Sequence, residues 1–352
     1  MPPQVLRRTL GLAGWDIPVI ELAGAEDGPR LTVLAGVHGC EYAPMAAVRR
    51  WIRSLREREL RGSVRAVPVL NLPAFRARTP FVVPDDGKNL NRCFPGDPSG
   101  TLAQRLAHAT FTQPITGSDA LVDVHAGDMV EALEPFALYD AGPGEARARE
   151  LAVAYGLGYV IRQEPGPDRA VGGTTSTAAA EIGIPAIIAE AGGCGLVEPA
   201  AVETHVRGLD RVLALLGMAG DNVAGGGAGD DADGRGGPDG RGRRRGSGAS
   251  GGPDGLSGPG GPGGHGGPGG PGATPTHLGR FIWLRSGHEG WWEPAVRPGQ
   301  PVAEGQRLGT VSSLDGAQVL QTITAPTAGV PLFVTSSPAA ATDGLLLGLG
   351  AK

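Results

Sequence analysis

Lysine is nearly missing from this chain: among 352 residues it occurs only as Lys88 and Lys352. A covalent carrier arm, which needs a lysine at a hairpin tip, is thereby confined to two positions. Cysteine is sparse too, and Cys40, Cys93 and Cys194 form no even framework. That argues against a disulfide-stapled scaffold and points to a reducing, cytoplasmic compartment. No apolar run approaches the ~20 residues of a membrane-spanning helix. Arg7 and Arg8 precede Leu10, Leu12 and Ala13, but Asp16 and Pro18 end the apolar stretch too early for an export signal. An excess of positive charge is also lacking. The formal net charge is −5 and the pI about 5.8, so no nucleic-acid partner is expected. The basic run RGRRR at 241–245 does not alter this, because residues 221–275 carry six Asp against five Arg.

What the chain does have is a stretch around which the rest is arranged, LTVLAGVHGCE at 31–41. Its first four residues are apolar, rich in β-formers and stopped by glycine, as a buried strand is. Glu41 then opens a helical spacing of Pro44, Val48, Trp51, Ile52 and Leu55 that runs to about residue 60. The alternation continues. Strands are expected at 31–35, 64–70, 120–124, 159–162 and 186–189, and helices at 42–60, 102–110, 144–155, 175–182 and 200–216. A strand pair over 9–22, turning near Gly14, precedes them. This pattern predicts an α/β fold, a mixed, largely parallel sheet flanked by helices. Then the composition breaks: more than half of residues 221–275 are Gly or Pro. Such a segment cannot bury enough apolar surface to offset its ordering entropy. Beyond it, FIWL, WWEPAV, RLGTV, VLQTIT and GVPLFV read as short strands, with Trp291 and Trp292 as packing residues. The expected organisation is an α/β domain at 1–219, a disordered Gly/Pro-rich linker at 220–276 and a small β-domain at 277–352.

His38 and Glu41 sit where the first strand of that alternation hands over to a helix. In open α/β sheets, ligands bind in the crevice beyond the carboxyl ends of the strands. An imidazole and a carboxylate three residues apart can grip one metal ion, and zinc sites that do chemistry take three protein ligands. Among seven histidines, His125 in ALVDVHAGD is the other one at a strand exit, which makes it the third candidate. His108 and His205 fall within helices, His265 in the Gly/Pro segment, and His277 and His288 in the β-domain. Asp123 shares the strand face of His125 and could orient its ring. A further apolar strand closes on Glu190, followed by Gly192 and Gly193. A carboxylate there is costly to bury without a partner. Facing the same crevice, it could take a proton from a water and return it to a leaving amine. Residues 71–97, dense in Pro, Asp and Asn, read as a long functional loop. Within it, Asn91 and Arg92 read as a clamp for an anionic substrate group, Arg78 as a donor to a developing oxyanion, and Arg76 as a surface charge.

GVHGCE, NLNRCFPG, DVHAGD and AEAGG, in this order and spacing, resemble the succinylglutamate desuccinylase/aspartoacylase family, a branch of the zinc carboxypeptidase clan. NLPAF and GTTSTAAAEIGIPAI extend the resemblance over about residues 30–217. It implies a zinc-carboxypeptidase-like sheet and one zinc ion per chain on His38, Glu41 and His125. Glu190 would be the general acid/base. Asn91 and Arg92 would hold the carboxylate of the amino-acid portion, and Arg78 would polarise the scissile carbonyl. The implied reaction is hydrolysis of the amide in a small N-acyl amino acid or related N-acyl amine, releasing a carboxylate and a free amine. Aspartoacylase-like members bring a tyrosine of the C-terminal domain to the substrate, but no tyrosine follows Tyr159 here. Arg162 or Arg169 is then the candidate for a second anion site. The tail resembles the family's C-terminal β-domain. ITAPTAGVPLFV followed by DGLLLGLG also resembles a biotinyl/lipoyl hairpin, where the scarcity of lysine argues against a carrier role. A carboxypeptidase acting on a small peptide and a non-catalytic metal-binding protein are the alternative readings. A homo-oligomer is compatible with the sequence.

Overall fold

The computed structural model of the chain describes residues 1–12, 14–164, 172–219 and 274–352. Residues 220–273 of the expected linker lie outside the described residues, as does Arg169. The first part runs β1 (Gln4–Leu12), β2 (Trp15–Ala23), β3 (Glu26–Ala35), α1 (Tyr42–Leu55), β4 (Arg61–Val67), α2 (Leu72–Ala77), α3 (Leu102–Thr110), β5 (Ala120–His125), β6 (Glu131–Leu133), β7 (Phe136–Asp140), α4 (Glu145–Tyr155), β8 (Tyr159–Gln163), α5 (Thr175–Glu181), β9 (Ala186–Glu190) and α6 (Pro199–Leu215).

From Leu31 to Ala35, strand β3 is apolar on both faces, and both are covered. Leu31, Val33 and Ala35 enter one core, with Trp51 and Leu55 of α1, Leu151 of α4 and Leu209 of α6. Leu34 enters a second, with Leu106 of α3 and Ala178 of α5. Thr32, the one polar side chain between them, donates its hydroxyl to the Pro114 carbonyl at 2.8 Å. Each fully buried leucine here contributes about 1.5–3 kcal/mol relative to exposure. A strand of this kind belongs in the middle of a parallel sheet. It lies parallel to β4 on one side and to β5 on the other. The sheet has nine strands in the order β1-β2-β4-β3-β5-β9-β7-β8-β10, the last being β10 (Thr276–Leu278). The β1–β2, β2–β4 and β7–β9 pairings are antiparallel and the others parallel, so the sheet is mixed and mostly parallel.

Two details depart from the sequence pattern. Helix α1 stops at Leu55, and β4 starts three residues earlier than expected, with Gly62 (φ +75°) at a point where a Cβ would meet the Pro29 carbonyl at 2.2 Å. Strand β7, unmarked by alternation because all five residues are buried, inserts between β9 and β8. No helix among the described residues is long and apolar enough to cross a membrane.

The C-terminal part contains β11 (Arg280–Arg285), β12 (Gly290–Pro294), β13 (Arg307–Ser312), β14 (Val319–Thr324), β15 (Val330–Thr335), β16 (Ala339–Ala340) and β17 (Leu345–Ala351). Together with β6 they form two four-stranded sheets around Trp292, Leu308, Val311 and Leu347. Trp292 is buried and donates its indole N–H to the Thr335 carbonyl at 3.0 Å, whereas Trp291 is 49% exposed. The boundary between the two parts is interwoven. Strand β10 pairs with β8 in the large sheet, and β6 pairs with β15 in a small one.

Candidate active site

The loop after β3 is held from beneath. Gly36 turns at φ +69°, and Leu70 and Asn71 donate their N–H groups to the Ala35 and Gly36 carbonyls at 2.9 and 2.8 Å. The Asn71 side chain donates to the Val37 carbonyl at 3.1 Å. At Gly39 a Cβ would meet the Ala74 backbone at 2.4 Å, so only glycine fits. The chain is thereby pinned on both sides of His38.

His38, Glu41 and His125 converge. Each offers a ligand atom, and these atoms lie within 4.8 Å of one another, a group found once among the described residues. His38 Nδ1 is 2.6 Å from Glu41 Oε1, and His125 Nδ1 is 3.0 Å from Glu41 Oε2. The other ring nitrogens are occupied elsewhere. His38 Nε2 meets Asn89 Oδ1 at 3.1 Å, and His125 Nε2 meets Asp123 Oδ2 at 2.9 Å. Such outer partners fix the ring orientation and leave both Nδ1 atoms for the centre. Asp123, fully buried on β5, also accepts from the Thr175 hydroxyl at 2.6 Å. Burial lowers the tendency of both histidines to protonate, but the carboxylates beside them outweigh it and raise both. Burial likewise raises Glu41, yet the two imidazoles hold it down at about 2. Two imidazole nitrogens and a carboxylate converging on one point suit a metal cation.

Glu190 ends β9 in register with His125 on β5, so the two occupy adjacent strand ends. Burial pushes its carboxyl up to about 8, with His125 and His38 pulling down and Glu41 and Glu131 pushing up. That places it near neutrality, where a group can both take and give a proton. Behind it stands His205 of α6, buried, with Nε2 3.0 Å from the Ala191 carbonyl and Nδ1 2.8 Å from the Tyr155 hydroxyl.

Besides Asn89, the long loop offers Asn91, Arg92 and Arg78. Asn91 is buried; its Oδ1 accepts from the Thr175 N–H at 3.1 Å, and its Nδ2 is 3.5 Å from His125 Nε2. Arg92 donates to the Asn91 carbonyl at 2.7 Å and pairs with no carboxylate among the described residues. Desolvation lowers its guanidinium, Glu190 raises it, and Arg285 of β11 lowers it again. Arg78 caps α2 in the left-handed region at φ +54°, exposed, its charge reaching Tyr42 beside Glu41. Arg76 lies 5.4 Å over the Trp15 ring, away from this cluster. Arg162 is not a free anion site. Its Nε and Nη2 donate to both oxygens of Glu145 at 2.5 and 3.1 Å, and it also meets Glu164. The sequence gives neither Asn89 nor His205 a role in the site. Asn89 lies in the long loop with Asn91, and nothing in a helical histidine singles out His205.

The family model of the succinylglutamate desuccinylase/aspartoacylase catalytic domain matches residues 27–216, more than half of the chain. The chain belongs to this family. An N-α-acetyl-L-2,4-diaminobutyric acid deacetylase of Halomonas elongata is 33% identical over 207 residues, covering 57% of this chain and 58% of that one. A succinylglutamate desuccinylase of Pseudomonas paraeruginosa is 33% identical over 153 residues, or 40% of this chain and 44% of that one. The matched region therefore spans well under two thirds of either relative. The fold extends further. A product-bound ectoine utilization protein of Ruegeria pomeroyi superposes with a TM-score of 0.75 at 21% identity, covering 99% of this chain and 95% of that one. A succinylglutamate desuccinylase/aspartoacylase of Rhodobacter sphaeroides gives 0.74 at 22% identity, covering 99% and 94%.

Proposed function

We propose that the chain is a zinc-dependent deacylase that hydrolyses the amide of a small N-acyl amino acid. The observation that carries this reading is the convergence of His38 Nδ1, His125 Nδ1 and the Glu41 carboxylate beside Glu190. One carboxylate and two imidazoles, with the remaining position left to water or substrate, is a donor set of catalytic zinc. The chemistry zinc would supply there is Lewis acidity, acidifying a water and polarising a carbonyl. Glu190 accepts the proton of the attacking water and delivers it to the departing nitrogen. The C–N bond breaks, a C–O bond forms, and the products are a carboxylic acid and a free amine. Asn91 and Arg92 hold the substrate carboxylate, and Arg78 donates to the oxygen that gains charge. Asp123, Asn89 and His205 keep these groups in place. The names of the relatives support an N-acyl amino acid substrate, but they point to two kinds of amine, one with an extra amino group and one with an extra carboxylate.

The test is metal content of the purified chain, followed by amine release from a panel of N-acyl amino acids before and after chelation. About one zinc per chain with chelator-sensitive release is expected. Zinc-free protein, or release that survives removal of the metal, would refute the reading.

A further inference from the structure

The three described sheets end in six edge strands, and five of them are guarded. Strand β1 borders the nine-stranded sheet with Arg7 and Arg8, and β11 borders a small sheet with Arg280 and Arg285. Strands β10, β6 and β16 are only two or three residues long. Charge and shortness both keep an edge from accepting a foreign strand. The sixth edge, β14, has neither. Its sequence is VLQTIT, six residues without a charge, a proline or a glycine, and rich in β-branched side chains. Its one pairing is with β13, and among the described residues no other backbone group bonds to its backbone. The outward N–H and C=O groups of such an edge are a template for one more strand.

The surface beside this edge is apolar as well. The registers place Ala339, Trp291, Ser312 and Val319 side by side across β16, β12, β13 and β14. Directly opposed residues share a face, and on this one Val319 is 59% exposed. Leu314, in the hairpin between β13 and β14, is 76% exposed and closes a shallow groove of about 280 Å³ with Trp291, Pro338 and Ala340. Charge decides how this end of the molecule is covered. Glu289 lines the groove, and Glu293 lies two residues beyond Trp291 on the same strand face. Packing two such faces together would set these acids against their own images, which is costly away from water. Edge to edge, the charges fall differently. Asp315 precedes β14 in the hairpin, whereas Arg307 is paired with Thr324 at the other end, with Glu304 in the turn beyond it. Antiparallel pairing about a two-fold axis brings the Asp315 end of one copy to the Arg307 end of the other. It leaves each Glu293 five strand spacings, about 24 Å, from its image, well beyond the ~8 Å screening length.

We propose that β14 is a self-association edge. Two copies of this chain pair β14 with β14, antiparallel about a two-fold axis, and fuse their four-stranded sheets into one of eight. Pairing starts at residues 321–323, because the bulge at Leu320 leaves these in regular register with β13. A joint of this length buries well under the ~1,600 Å² of a standard interface, so the dimer is weak, with a Kd of about 1–100 µM.

Sedimentation velocity on the full-length protein from about 1 to 300 µM should show a monomer–dimer equilibrium with its midpoint in that range. Two double variants test the joint: Val319→Lys with Thr322→Lys, and Val319→Glu with Thr322→Glu. Both positions are exposed, so the melting temperature should stay near that of the wild type. Each variant alone opposes like charges across the axis and should weaken dimerisation at least about 10-fold. An equimolar mixture of the two should restore the dimer, which mixing could not do for a damaged sheet. In the wild type alone, amide exchange at 319–324 should slow as concentration rises. A wild type that stays monomeric at the upper limit overturns the proposal and leaves the edge to an extended segment of another protein. A wild-type dimer of unchanged strength in both variants, or one without slowed exchange at 319–324, overturns it too and places the contact on another surface. So does growth beyond a dimer, which a two-fold joint does not produce.

Discussion

Replacing His205 by Gln should flatten the acid side of the stability profile. The imidazole is fully buried between the Ala191 carbonyl and the Tyr155 hydroxyl. A carbonyl can only accept, so Nε2 carries the proton and Nδ1 accepts from the phenol. Burial pulls the imidazole down from its ordinary 6.5 to about 4. The folded chain therefore keeps it neutral through a range in which the unfolded chain protonates it. Between about pH 6.5 and 4 the unfolded state holds more protons, so stability rises with pH. The contribution is fully present above about 6.5 and is lost as the pH falls to about 4. A drop of about 2.5 in pKa, at 1.36 kcal/mol each, amounts to about 3 kcal/mol. That is a large fraction of the 5–15 kcal/mol typical of a folded domain. Glutamine can still donate to Ala191 and accept from Tyr155, but it does not titrate. Urea unfolding at pH 7.5 and 4.5 should show wild type losing about 2–3 kcal/mol more than His205→Gln across that interval. An equal loss in both proteins would mean that His205 is not held neutral, and the account of the network behind Glu190 would be wrong. Other acids that titrate in this range cancel in the comparison.

Three further outcomes are expected. Glu190→Gln should keep the metal and lose about 10²- to 10⁴-fold in kcat; steady-state kinetics with parallel metal analysis checks this, and retained turnover would remove Glu190 from the reaction. His38→Ala or His125→Ala should purify without metal, and a normal content by atomic emission would overturn the ligand assignment. Asp123→Asn, which leaves the shape but removes the charge that orients His125 Nε2, should weaken metal affinity about 10- to 100-fold in a competition titration with a chelator. Unchanged affinity would leave Asp123 as a link to Thr175 alone.

The central strand and its site could be read because local chemistry marked them. Residues 31–35 announce a strand covered on both faces, and a histidine or glutamate that ends such a strand at a glycine turn has little structural reason to be there. His38, Glu41, His125 and Glu190 were singled out as candidates in this way, and their motifs carried the family. The composition of the long loop marked it as a candidate, but not where its side chains would point. Asn91 faces His125 and also holds Thr175, which lies 84 residues away in the chain. Strand β7 gave no signal, because a short fully buried strand lacks the alternation that distinguishes strand from loop.

What the sequence determined by itself is what depends on near neighbours: period, capping, turn residues, and the short spacings of ligands on one strand exit. What only the tertiary structure decided is which distant charges meet. Arg162 was open as an anion site until Glu145 took the Nε–Nη2 edge of its guanidinium. Arg285 is an ordinary strand residue until β11 brings its charge to Arg92. Glu131 is one acid among many until β6 crosses to the C-terminal sheet and leaves it in an apolar cleft. A charge interacts over several ångströms of space without regard to sequence separation, and its effective strength depends on how much water the surrounding fold has removed. Neither quantity exists before the chain has folded.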